Sequence, residues 1–230
     1  MATYGEKSGT DSKFIFGLDL GQANDYTGLV IAERLQAWKS CVRGVTDQDP
    51  VIVRDWMPTT ELDEPIYHVR HIERMKLGTP YPEVIKRVQE LITSQEVAGK
   101  YMLIVDYTGV GRPVFDMALK AGLEAVGATI TGGDAITCKG RQVRVAKRVL
   151  VSTVMAVMQT GRLKFAEGMH GAGALKDELL NFRVKITDSA NDIYSAREGA
   201  HDDLVIALAL ALFAGEKMIR EPQVAEQFRW

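Results

Sequence analysis

Apolar positions fall into short runs with two different periods, and these predict the elements. Residues 14–20 form a nearly continuous apolar run and read as a strand. A second run, 27–35, follows across a polar link at 22–26 that contains Asn24 and Asp25, which predicts an antiparallel pair. Further strands are expected at 51–57 and at the weakly alternating 67–75. Pro82 opens a helix in which Val84, Ile85, Val88, Leu91 and Ile92 recur at helical spacing, with the pattern ending near Gly99. A strand at 101–105 ending in Asp106, a helix at 113–120 closed by Gly122, and a strand at 125–130 follow. That strand–helix–strand order implies a parallel crossover. Helices are expected at 143–160 and 174–182, and a hairpin at 184–187 and 192–196. The last element, 203–215, is apolar almost all round, as in a helix buried against a sheet.

Composition narrows the class. The chain has 230 residues, 46% hydrophobic and 25% charged, which fits one large globular domain. No internal repeat or low-complexity linker divides it. The expected organisation is a mobile segment 1–13, a domain 14–217 and a tail 218–230. Cys41 and Cys138 are too few for a thiolate zinc cage or a disulfide framework, so a reducing compartment is expected. The first residues lack the apolar core of a signal peptide. The longest apolar run, 204–214, falls short of the roughly 20 residues that span a bilayer. A cytoplasmic protein without a membrane partner is expected. With 28 Lys plus Arg against 30 Asp plus Glu, a global basic footprint is absent, but a local one is not excluded.

Acids at three places then stand out by context. Asp19 sits inside the first apolar strand, Asp106 ends "YMLIVD", and Asp202 and Asp203 open "DDLVIALALALFA". Each has an ordinary explanation: a solvated strand face for Asp19, a turn starter for Asp106, an N-cap for Asp202 or Asp203. Together they can also converge on one site. Carboxylates held close repel one another and resist ionisation unless cations neutralise them. Hard oxygen ligands suit Mg²⁺ or Mn²⁺, and two such ions can drive phosphodiester hydrolysis.

The stretches "FGLDLGQANDYTGLVI", "LIVDYTGVGRPV" and "HDDLVIALALA", in this order, resemble the nuclease domain of phage terminase large subunits. The resemblance runs from Phe14 to about Gly215. It implies an α/β ribonuclease H-like fold: a mixed sheet, antiparallel first and then parallel, flanked by helices, with a β-hairpin before the last helix. It implies a metal-dependent endonuclease that cuts concatemeric viral DNA during genome packaging in the host cytoplasm. By position, Asp19, Asp106 and Asp203 match the catalytic metal-binding acids. Asp202 matches a neighbour that holds a second metal or a metal-bound water. His201 and Asp25 are expected behind them as second-shell partners. The implied cofactor is Mg²⁺ or Mn²⁺, two ions. Implied partners are double-stranded DNA and a separate packaging ATPase, portal or small terminase subunit. Relatives that continue "HDDLVDALA" carry an acid where this chain has Ile206. The motor's phosphate loop, GxxxxGK followed by Ser or Thr, is missing: "TGVGRP" lacks the lysine.

For DNA, "CKGRQVRVAKRVL" brings Lys139, Arg141, Arg144, Lys147 and Arg148 together without an acid. On a helix the last four share one side. They read either as a solvated first turn or as phosphate contacts. Arg112, beside Asp106, is a further candidate, and Lys176, Arg183 and Lys185 can extend the track. No base-reading motif appears, so weak sequence preference is expected. Rival readings are a resolvase-like or transposase-like nuclease, a non-catalytic module of the same fold, and an ATP-binding protein of the actin and sugar-kinase type. The last is suggested by "GLDLGQ" but lacks a second glycine-rich loop.

Overall fold

The structure, a computed structural model, describes residues 4–21, 25–43, 64–186, 192–195 and 201–219. An eight-stranded mixed sheet is built from β1 (Tyr4–Asp19), β2 (Gly28–Arg43), β3 (Ile66–Arg74), β4 (Tyr101–Asp106), β5 (Ala125–Thr131), β6 (Thr137–Lys139), β7 (Gln142–Ala146) and β8 (Leu163–Phe165), in the order β6-β7-β5-β4-β1-β2-β3-β8. β2 runs antiparallel to its neighbours β1 and β3, whereas β1, β4, β5 and β7 run parallel. β9 (Arg183–Ile186) and β10 (Asp192–Ser195) form a separate hairpin, as expected, before the last helix.

Helices cover both faces of the sheet. α1 (Tyr81–Ile92) and α2 (Gly111–Lys120) bury Val84, Ile85, Val88, Val114 and Phe115 with Phe14, Phe16, Leu18, Leu29 and Ile31. On the other face α3 (Lys147–Gln159), α4 (Ala172–Asn181) and α5 (Asp203–Phe213) meet Ile15, Val30, Ala32 and Ile104. Every residue of α5 is buried. Each fully buried leucine there contributes about 1.5–3 kcal/mol over exposure, which anchors the helix firmly. Gly17 makes the fit possible: a Cβ there would lie 1.9 Å from the Ala207 carbonyl oxygen.

Strand alternation fixes which face each acid takes. Ile15 and Gly17 meet the α5 side, so Asp19 takes that side as well; Ile104 does the same for Asp106. Both acids therefore lie at the carboxyl ends of adjacent parallel strands, on the face that carries α5.

Several boundaries differ from expectation. The helix expected from residue 143 begins at Lys147; before it, β6 and β7 form a hairpin. Val143 and Val145 are buried while Gln142 and Arg144 are exposed, a period-two pattern that belongs to a strand. The basic residues consequently do not share one helix face: Lys139 is on β6, Arg141 in the turn, Arg144 on β7, and only Lys147 and Arg148 open α3. β1 begins at Tyr4 rather than at residue 14: residues 4–13 pair with residues 34–43 of β2. β8 has too few residues to leave a periodic signal. The strand expected at 51–57 lies outside the described residues, as do the hairpin's turn and residues 220–230. α5 passes into a single π-helical stretch, Ala214–Met218. No helix among the described residues is long and apolar enough to cross a membrane, and Cys138 is a free thiol.

Candidate active site

Three elements converge where β1 and β4 end. Asp19 closes β1, Asp106 closes β4, and Asp203 opens α5 beside the start of β2. Gly28 allows that approach: a Cβ there would lie 2.6 Å from the Asp203 carbonyl oxygen and 3.2 Å from the Asp203 Cβ. Asp203 is the most enclosed of the acids, 2% exposed, whereas Asp19 and Asp106 are half-buried.

The acids act on one another. Asp19 is pushed well above the carboxylate range, first by burial and then by the charges of Asp106, Asp202, Asp203 and Asp25. Asp106 is raised by burial; the Thr108 N–H, 2.8 Å from its Oδ1, and the Lys147 ammonium pull it back. That short contact is the turn expected of an Asp at a strand end, so turn starter and site residue coincide. Asp203 is raised to about 7, first by burial, then by Glu178 and Asp25, against the opposing pull of Arg74.

Asp25 and His201 lie closer in than expected. One ligand atom from each of Asp25, His201 and Asp203 falls within 4.8 Å of the other two. His201 Nδ1 is 3.7 Å from Asp25 Oδ1 and 3.9 Å from Asp203 Oδ1, and its ring meets Tyr26 edge-on at 4.8 Å. Asp202 occupies the N-cap position of α5, but its side chain caps nothing. Its Oδ2 accepts from Lys147 Nζ at 3.1 Å instead, and that ammonium lies over the Phe182 ring.

Sequence reasoning missed two residues here. Glu178 of α4 is buried, and its Oε2 accepts the N–H groups of Leu204 and Val205 at 2.9 and 3.0 Å. Arg74, at the end of β3, donates to Glu178 Oε1, stacks over Tyr26, and holds Nε 3.1 Å from Asp203 Oδ2. That last contact has the distance of an ion pair without the angle of a hydrogen bond, so both atoms are buried with no hydrogen-bond partner. The available signal was Glu178 three residues after Leu175, which puts an acid on the buried side of a helix.

The expected DNA residues are placed unevenly. Lys147 joins the acids through Asp202. Arg112 is exposed on α2 and stacked on Tyr107 at 5.4 Å. Lys139, Arg144 and Lys176 are exposed, Arg141 is half-buried, and Arg148 is paired with Asp134 at 2.6 Å. The side chains of Arg183 and Lys185 lie outside the described part.

A mixed sheet of this order with α5 across it is the ribonuclease H-like fold, as expected from the resemblance. No family model and no curated protein matches the sequence. Among solved structures, the large terminase nuclease from thermophilic phage G20c with bound magnesium is 22% identical, with TM-score 0.57 over 88% of this chain and 81% of that one. The same nuclease with bound cobalt gives the same values. The Thermus phage P74-26 large terminase nuclease domain is 19% identical, with TM-score 0.55 over 95% of this chain and 84% of its own. These likenesses establish the fold.

Proposed function

We propose that this chain is a divalent-metal-dependent endodeoxyribonuclease of the terminase type, cutting double-stranded viral DNA during genome packaging in the host cytoplasm. The observation that carries the reading is the convergence of Asp19, Asp106 and Asp203 from two strand ends and a helix start, where burial raises all three and the neighbouring acids raise Asp19 further. The solved G20c nuclease, with magnesium or cobalt bound, supports it.

The residues present fit a hard divalent cation. The donors are carboxylate oxygens with one imidazole, and Asp203 Oδ2 is buried with no hydrogen-bond partner. Its cationic neighbour among the described residues, Arg74 with Nε at 3.1 Å, makes no hydrogen bond to it and is shared with Glu178, so a buried carboxylate beside further acids still gains from a metal ion. Asp19, Asp106 and Asp203 would hold the metal, with Asp25, His201 and Asp202 as the further donors for a second ion. When bound, Mg²⁺ or Mn²⁺ supplies neutralisation of a phosphodiester's charge and activation of the attacking water.

The chain's own residues supply placement. The strand ends fix Asp19 and Asp106 on rigid backbone, and Lys147 holds Asp202 while keeping a positive charge at the rim. Arg112, Lys139 and Arg144 are exposed, where phosphates can meet them. They can hold the DNA backbone without reading bases, which gives little sequence preference. A packaging ATPase, portal or small terminase subunit would deliver the substrate.

The test is cleavage of supercoiled plasmid in Mn²⁺, Mg²⁺ or EDTA by wild type and Asp19→Asn. The wild type is expected to nick and linearise plasmid with either metal and to stop in EDTA; Asp19→Asn is expected to lose cleavage while keeping its circular dichroism spectrum. Full activity in the folded variant would overturn the assignment.

A further inference from the structure

We infer that Arg74 and Glu178 form a positioning pair that sets Asp203 for metal binding, an inference that rests on the metal-dependent nuclease reading. The start of α5 has an unusual problem. Its N-cap residue, Asp202, is turned to Lys147, so it leaves the first N–H groups of the helix without the usual side-chain acceptor. Asp203 is also directed elsewhere, toward Arg74, His201 and Asp25. Glu178 solves this from another helix by accepting the N–H groups of both Leu204 and Val205 through one oxygen. The cap in trans frees two consecutive acids for the site.

Glu178 brings a cost, because its charge is buried next to Asp203 and raises it. Arg74 answers both charges. Its guanidinium bridges Glu178 Oε1 and Asp203 Oδ2 and is pinned over the Tyr26 ring. A planar fork can join two carboxylates at fixed spacing; a lysine ammonium on a flexible stem cannot do so with the same definition. Arg74 thereby limits the rotamers of Asp203 by holding Oδ2, which turns Oδ1 toward His201 and Asp25, where a cation can reach it. Neither residue needs to touch DNA or water to matter, and both act through Asp203. Such outer partners typically govern metal affinity by about 10–100-fold.

The experiment is calorimetric titration of the full chain with Mn²⁺, without DNA, alongside thermal unfolding in EDTA. Arg74→Lys is expected to bind Mn²⁺ about tenfold more weakly while its unfolding stays cooperative. Glu178→Ala is expected to lose affinity likewise, and Glu178→Gln, which keeps a carbonyl acceptor for the two N–H groups, to recover most of it. Wild-type affinity in Arg74→Lys overturns the inference; so does tighter binding, which would make Arg74 a competitor of the cation. If Glu178→Ala does not fold, Arg74→Lys and Glu178→Gln decide. Asp19→Asn separates the two readings. If wild type binds no Mn²⁺, or Asp19→Asn binds it as well as wild type, the nuclease site and the positioning pair fall together. If Asp19→Asn loses binding and Arg74→Lys does not, only the positioning pair falls.

Discussion

Removing the charge of Asp203 should make the metal-free protein more stable at alkaline pH. Asp203 is 2% exposed and its carboxyl titrates at about 7 in the fold, against an ordinary value of 3.8. A raised carboxyl binds its proton more tightly in the folded than in the unfolded chain. Folding is therefore favoured most at low pH, and stability is lost as pH rises from about 4 through 7. Above pH 7 the full difference is withheld, about 4 kcal/mol if Asp203 acted alone. Coupling to Glu178 and Asp25, and the loss of the Arg74 contact in a variant, reduce what a substitution recovers to well below that figure. The assay is urea unfolding of wild type and Asp203→Asn in EDTA at pH 5 and pH 8. Asp203→Asn is expected to be more stable than wild type at pH 8, and its advantage to shrink at pH 5. Saturating Mn²⁺ at pH 8 should stabilise the wild type more than the variant, because only the wild type offers the full carboxylate set. A variant less stable than wild type at pH 8 in EDTA would refute the claim that Asp203 is an electrostatic burden without a cation.

Gly28→Ala places a Cβ 2.6 Å from the Asp203 carbonyl oxygen, which belongs to a fixed helix start. It should cost about 1–3 kcal/mol by overpacking and weaken Mn²⁺ binding; an unchanged urea midpoint would contradict the close approach of α5 to β2. Arg112→Ala and Arg144→Ala should each lower the salt slope of DNA binding by about one, measured by fluorescence anisotropy in Ca²⁺. Arg148→Ala should change the slope less, since its guanidinium is held by Asp134 at 2.6 Å; a larger effect for Arg148 than for Arg144 would reverse the proposed DNA track.

Much of the fold is local enough to be written in hydrophobic periodicity. The first two strands, α1, β4 and α5 follow from runs whose burial matches their period. The failure at residues 143–146 is instructive. Val143 and Val145 suit a helix or a strand equally, and the adjoining helix hid a short alternating strand; the deciding factor was pairing with β5, a contact made at a distance in sequence. Asp19, Asp106 and Asp203 stood out as candidates because one sits inside an apolar run, one ends such a run and one opens another. Arg74 and Glu178 were not, because an arginine at a strand end and a glutamate in a helix are ordinary until folding brings them against α5. The closer approach of Asp25 and His201 was hidden for the same reason: it depends on how the turn after β1 meets the start of α5.

The most direct test of the central claim is an anomalous difference map from crystals of this chain soaked in Mn²⁺, recorded at the manganese edge. The expected result is a peak within ligand distance of Asp19 and Asp203, with Asp106 beside it. A map whose only peaks lie away from these three carboxylates, in a protein with this fold, would contradict the site.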